Sequence, residues 1–155
     1  ARARRAPQRG CRLPRPGGRS VRGNWSHNDQ PRLPQILKIG PAYSPTPPEG
    51  FISPMTWGVE SNVTERFAAA GIPGEKISCV KDTYVFNASV PPAAFLADFR
   101  TYYGPTMNAF AAAEQNGKTT ELQQELEALF ERQNTGKTNG GTSIPATFLR
   151  VTVNV

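Results

Sequence analysis

The chain has 155 residues, of which 37% are hydrophobic, with 15 prolines and 14 glycines. That apolar share lies below the roughly 45–50% of an average globular protein, which excludes a chain that is core throughout and predicts a folded portion beside a poorly ordered one. The net charge of +6 is uneven: residues 1–40 hold nine arginines, one lysine and one acid, a net +9, whereas residues 41–155 hold eight basic and eleven acidic side chains, a net −3. Basic character thus belongs to the N-terminal segment, which argues against a nucleic-acid surface spread over the folded part.

No run of about 18 apolar residues occurs, so no membrane-spanning helix is expected. The start of the chain has no apolar stretch of the kind a secretory signal needs. The expected compartment is the cytoplasm, where the sequons at Asn24, Asn62 and Asn87 are chance matches. Cys11 and Cys79 read as free thiols in a reducing compartment. Together with the single His27 they are too few for a zinc site.

In chain order, residues 1–16 (ARARRAPQRGCRLPRP) show no apolar periodicity and read as a disordered basic segment. Residues 17–25 read as a Gly-Gly turn and a short strand whose apolar residues are Val21 and Trp25. Leu33, Ile36, Leu37 and Ile39 predict a helical turn or two, kept short by Pro31, Pro34 and Pro41. SPTPPEGFISPMTWG reads as a Pro-rich loop that packs through Phe51, Met55 and Trp57. Ser61 caps a helix running to about residue 70, with Val63, Phe67 and Ala70 on one face and Gly71 as its stop.

Residues 77–88 alternate as a strand, with Val80, Tyr84 and Phe86 on one face. Pro91 and Pro92 open a helix with Phe95, Phe99 and Tyr102 in one stripe. A second helix over about 105–115 presents Met107, Phe110 and Ala111. A third opens on a Thr120–Gln123 capping box and buries Leu122, Leu126, Leu129 and Phe130. After a loop at 134–143, TFLRVTVNV alternates, with Leu149, Val151, Val153 and Val155 on one side. Two late strands flanking a helical insertion suit an antiparallel hairpin at a sheet edge, in an α/β or α+β arrangement.

RLPRPGGRSVRGNW resembles a segment of class I S-adenosylmethionine-dependent methyltransferases in which an R-P-G-G-R turn leads into the fifth strand of a seven-stranded sheet, a strand that ends in N-W. Arg15, Pro16, Gly17, Gly18 and Arg19 match the turn, and Asn24 and Trp25 match the strand end. PPEGFISPMTWG is similar to the family's P-P-x-G…S-P-x-x-W-G. VKDTYVFNASVPPAAFLADFRTYYGPTMNAFAA is similar to its next strand and its F-R-x-Y-Y-G-P-T-x-x-A-F helix pair. LQQELEALFERQNT and ATFLRVTVNV resemble the closing helix and strand. The resemblance covers about residues 10–155.

It implies the C-terminal part of a Rossmann-like fold, strands five to seven plus cap helices, over residues 17–155. The family's cofactor site, a Gly-rich loop after strand one and an acid after strand two, has no counterpart here, since no G-x-G-x-G occurs. The expectation is a fragment that does not bind S-adenosylmethionine alone. ARARRAPQRGC stands where the family has an amphipathic helix, which implies a wrong start or a frameshift upstream. The resemblance further implies that Trp25, Trp57, Tyr102 and Tyr103 line the pocket for a small-molecule methyl acceptor. Spacing alone makes Trp57, Phe99 and Tyr102 core aromatics. His27 has the pKa range of a general base, although a lone loop histidine is usually a surface residue. Without its preceding strands, strand five offers an open edge for self-association. The arginine-rich tail is the remaining candidate contact for nucleic acid.

Overall fold

The computed structural model describes residues 17–26, 35–136 and 140–154. The basic segment 1–16 with Cys11, His27 and Val155 lie outside them. The chain is mixed α/β, in the order β1 (Arg19–Trp25), α1 (Ile36–Tyr43), α2 (Glu60–Ala68), β2 (Ile77–Ala88), α3 (Pro92–Tyr102), α4 (Gly104–Gln115), α5 (Thr119–Gln133) and β3 (Thr142–Asn154). A 3-10 turn, Pro54–Gly58, precedes α2, and a second, Gly74–Lys76, precedes β2. The three strands form one sheet in the order β1-β3-β2. The last strand is the central one, and the two late strands expected to pair at a sheet edge are neighbours, with β2 at the edge.

The described residues fall into two compact units. The first gathers 17–26, 50–82 and 147–154. β1 pairs with β3 antiparallel, Arg22 opposite Val151 and Trp25 opposite Phe148. The core is Val63 and Phe67 of α2 against Leu149, Val151 and Val153 of β3, with Trp57, Ile72, Ile77 and Cys79 packed around it. The alternation expected of the final strand is met by Leu149, Val151 and Val153, each no more than 2% exposed.

α2 starts one residue before Ser61, and no side chain caps it. Its end is as expected: Gly71 has φ of +84°, which lets Ile72 N–H reach the Phe67 carbonyl and Gly71 N–H the Ala68 carbonyl. This is the paired-bond termination that a left-handed glycine allows. On β2 it is Ile77 and Cys79 that reach the core, while Val80 is exposed. Cys79 is a free, half-buried thiol. Burial, and secondarily the charge of Glu60, pushes its pKa up.

The second unit gathers 35–49, 83–136 and 140–146. Its centre is α5, whose Leu122, Leu126, Leu129 and Phe130 are buried to within 1%. Four apolar residues at i, i+4, i+7 and i+8 make one stripe, and that stripe sets the helix. Its N-cap is Lys118 without a side-chain bond, so the Thr120–Gln123 box does not form; Gln123 instead donates to Glu127 one turn on, at 2.7 Å. α4 buries Thr106, Ala109, Phe110, Ala112 and Ala113. Met107 and Ala111, read as part of the apolar face, are exposed because the buried stripe runs Thr106, Ala109, Phe110 and Ala113, one residue out of phase with them.

Pro91 caps α3 and Pro92 takes its first position, where a missing N–H costs nothing. α1 runs through Pro41 to Tyr43, past the point where a proline break was expected. Only two helical residues follow Pro41, and Ser44 closes the end by donating from Oγ to the Gly40 carbonyl at 3.0 Å and from N–H to Pro41 O. Gly40 also lets α1 approach α4 closely, since a Cβ there would lie 3.3 Å from that of Ala109. Tyr43 O–H donates to Glu125 at 2.9 Å, and that bond raises the phenol's pKa. Truncating Leu126 to alanine opens a cavity in this core and is expected to cost about 2–5 kcal/mol, measured as a shift in the urea unfolding midpoint.

Candidate functional site

The sequence-predicted residues fall in both units. Trp25 and Trp57 lie in the first, Tyr102 and Tyr103 in the second.

In the second unit, Tyr102 is 81% exposed at the end of α3, so the core position that spacing assigned to it is wrong. The stripe of α3 continues from Phe95 and Phe99 to Tyr103, not to Tyr102. Phe95 and Phe99 rings are 5.1 Å apart, and Phe99 and Tyr103 5.3 Å apart. Phe86 and Phe130 complete this aromatic cluster, each within 6.2 Å of its ring neighbours. The pairs are edge-on apart from Phe86–Phe95 and Phe95–Phe130, which are tilted, a geometry that marks the cluster as packing. Beside it, an open cleft of about 330 Å³ is lined by Asn87, Ala88, Ser89, Gly136, Gly141, Thr142 and Ser143. None of the four predicted residues lines that cleft, and no titratable side chain does.

In the first unit the geometry is more specific. Ser53 opens the turn Ser53-Pro54-Met55-Thr56-Trp57-Gly58 by accepting the Met55 N–H on its hydroxyl, at 3.3 Å. Pro54 occupies the first turn position. Thr56 donates its hydroxyl to the Ser53 carbonyl at 2.7 Å and accepts from Arg66 Nη2 at 2.6 Å. Trp57 lays its edge against Phe67, with centroids 6.3 Å apart.

Gly58 is buried directly against the end of β1: a Cβ there would overlap the Trp25 carbonyl, and Ser26 Cα would lie at 3.1 Å. The strand end Asn24-Trp25 and the Trp57-Gly58 turn, 33 positions apart, therefore meet backbone to backbone. Ser26 N–H holds the strand end to the Thr147 carbonyl at 3.2 Å, and Trp25 stacks edge-on to Phe148 at 6.3 Å.

Two arginines address the Trp57 ring. The Arg66 guanidinium carbon lies 4.7 Å from the ring centroid. That of Arg22 lies 5.9 Å from it and 5.6 Å from the Phe67 centroid. Sequence reading missed both, because Arg22 and Arg66 stand in segments otherwise read by their apolar residues. The available signal was the polar phase of β1. Ser20, Arg22 and Asn24 face the same way as Val153, Val151 and Leu149, their cross-strand partners, so β1 turns polar side chains toward the core. Val21, one of the two apolar residues read in this strand, is 55% exposed.

Among the described residues no three His, Cys, Asp or Glu side chains stand together as metal ligands. His27, the general-base candidate, lies outside them.

Replacing Gly58 with alanine forces the turn off the strand end. The expected loss is about 1–3 kcal/mol, read by chemical denaturation. Gly74→Ala, at a position with open space and no left-handed backbone, is the control and is expected to stay within about 0.5 kcal/mol. No protein-family model matches the chain, and no curated protein matches its sequence.

Proposed function

We propose that this chain is the C-terminal portion of a class I S-adenosylmethionine-dependent methyltransferase, contributing strands five to seven and the cap over a small-molecule methyl acceptor in the cytoplasm. One observation carries the reading. The N-W strand end and the S-P-x-x-W-G turn, two motifs quoted for the resemblance, meet at the Trp25–Gly58 contact. In that arrangement Trp25, beside Phe148, and Trp57, beside Phe67, flank the strand end from opposite faces of the sheet, each a planar apolar surface of the kind that lines small-molecule sites.

The three segments read as strands also lie in one sheet, as the reading requires. Methyl transfer from a sulfonium relies mainly on positioning, so the absence of a conspicuous acid–base pair does not count against it. No G-x-G-x-G occurs in the sequence, and the chain alone is not expected to hold the cofactor. Among the described residues no helix is long and apolar enough to cross a membrane.

The coding sequence upstream, read in all three forward frames, is expected to contain a G-x-G-x-G segment; its absence from every frame overturns the reading. Calorimetry of the isolated chain with S-adenosylhomocysteine is expected to give no saturable heat, and tight binding would contradict the fragment assignment.

A second reading, a dimerisation module, is favoured by β1. Among the described residues this seven-residue strand pairs only on its β3 side, leaving an edge that invites another strand. Size-exclusion chromatography with light scattering is expected to show a dimer if this edge pairs. A monodisperse monomer at high concentration excludes it.

A further inference from the structure

The first unit has a polar deficit of a single kind. Asn24 Nδ2 and Arg66 Nη1 are shielded from solvent and have no hydrogen-bond partner among the described residues. Both are N–H donors, and among the described residues of that unit no buried side-chain acceptor is left over to meet them. Arg22 and Arg66 both crowd Trp57, and neither pairs with a described carboxylate. Two guanidiniums over one ring repel each other. The ring face offsets part of the desolvation of these charges but offers no oxygen to accept a hydrogen bond. Among the described residues this cluster lacks an acceptor, and its two positive charges favour an anion.

We propose that Arg22 and Arg66, gathered at Trp57, together with Asn24 on the same face of β1 as Arg22, bind a small organic carboxylate. A carboxylate is planar and takes two parallel N–H bonds from a guanidinium fork. Its body can lie on the Trp57 and Phe67 rings. A doubly charged phosphate is disfavoured because the cost of removing water from an ion climbs steeply with its charge and the site borders an apolar core. The inference does not rest on the methyltransferase reading, since any protein with these donors would show it.

The test follows the two indole N–H resonances of the full chain by ¹⁵N–¹H NMR during titration with benzoate, and in parallel with inorganic phosphate. Trp25→Phe assigns the Trp57 signal. The expected result is a saturable shift of the Trp57 resonance by benzoate, half-complete in the low millimolar range or below, with phosphate binding more weakly. Arg22→Gln and Arg66→Lys are each expected to weaken benzoate binding at least tenfold. Thr56→Val, which removes only the partner of Nη2, is expected to leave it within about twofold, since Nη1 and the charge remain. Should Arg66→Lys fail to fold, Arg22→Gln alone decides. No saturable shift with benzoate overturns the proposal, as does unchanged affinity in Arg22→Gln. Tighter binding of phosphate than of benzoate overturns the carboxylate assignment.

Discussion

The antiparallel register between β1 and β3 is the constraint from which the first unit follows. It sets Ser20, Arg22 and Asn24 opposite Val153, Val151 and Leu149. A one-residue slip would turn the other phase inward, with Val21 and Trp25 toward the core and Arg22 out to solvent. By hydrophobicity alone that alternative is better for β1. The register is tied at the strand end, where Trp25 packs edge-on against Phe148 and Ser26 N–H reaches the Thr147 carbonyl, while Leu149, Val151 and Val153 of β3 bury almost completely against Val63 and Phe67. The polar phase of β1 is carried along, and its long side chain, Arg22, adapts by laying its guanidinium on aromatic rings.

The Ser53–Gly58 turn complements that strand residue by residue. Ser53 and Pro54 start it, and Thr56 ties it to α2 through Arg66. Trp57 fills the space beside Phe67, and only a residue without a side chain fits at Gly58. Each position has a separate steric or hydrogen-bonding reason. The same geometry leaves Arg66 with one nitrogen bound by Thr56 and another bound by nothing among the described residues.

Legibility in the sequence tracked how strictly each segment obeys one period. α5 and the second half of β3 were readable because their buried residues keep one phase and their polar residues the other. The start of β3 was not, because the buried residues are Thr142, Ile144 and Ala146 and then Thr147 and Leu149, a change of parity that hides an alternation already diluted by Pro145. α3 misled for a different reason. A spacing of seven and a spacing of eight both fit a helix of 3.6 residues per turn, and packing on Phe99 selects Tyr103 over Tyr102. The capping box at Thr120–Gln123 failed because Lys118, with no capping side chain, holds the N-cap position and α5 starts at Thr119, putting Thr120 inside the helix. In the candidate site the tryptophans were visible as residue types. The arginines were hidden, since their role depends on which face of β1 and which turn of α2 meet.

The two units differ in the kind of unmet hydrogen bonding they contain, and the difference separates packing from chemistry. Among the described residues of the second unit the unmatched buried groups are Thr106 Oγ1 and both amide atoms of Gln133. These are neutral groups that donate and accept, and a single buried water of the sort found about once per 27 residues satisfies such a group. Leaving one unmet costs about 1–3 kcal/mol. Among the described residues of the first unit both unmatched atoms only donate, and one belongs to a permanently charged guanidinium. Water accepts from it but leaves the charge uncompensated, and a second guanidinium on the same ring raises that cost. A fold that served packing alone would hold this site more cheaply with an apolar residue at Arg22, facing Val151 across the sheet. Local rules broken in the same direction at neighbouring positions mark a place shaped by something other than stability.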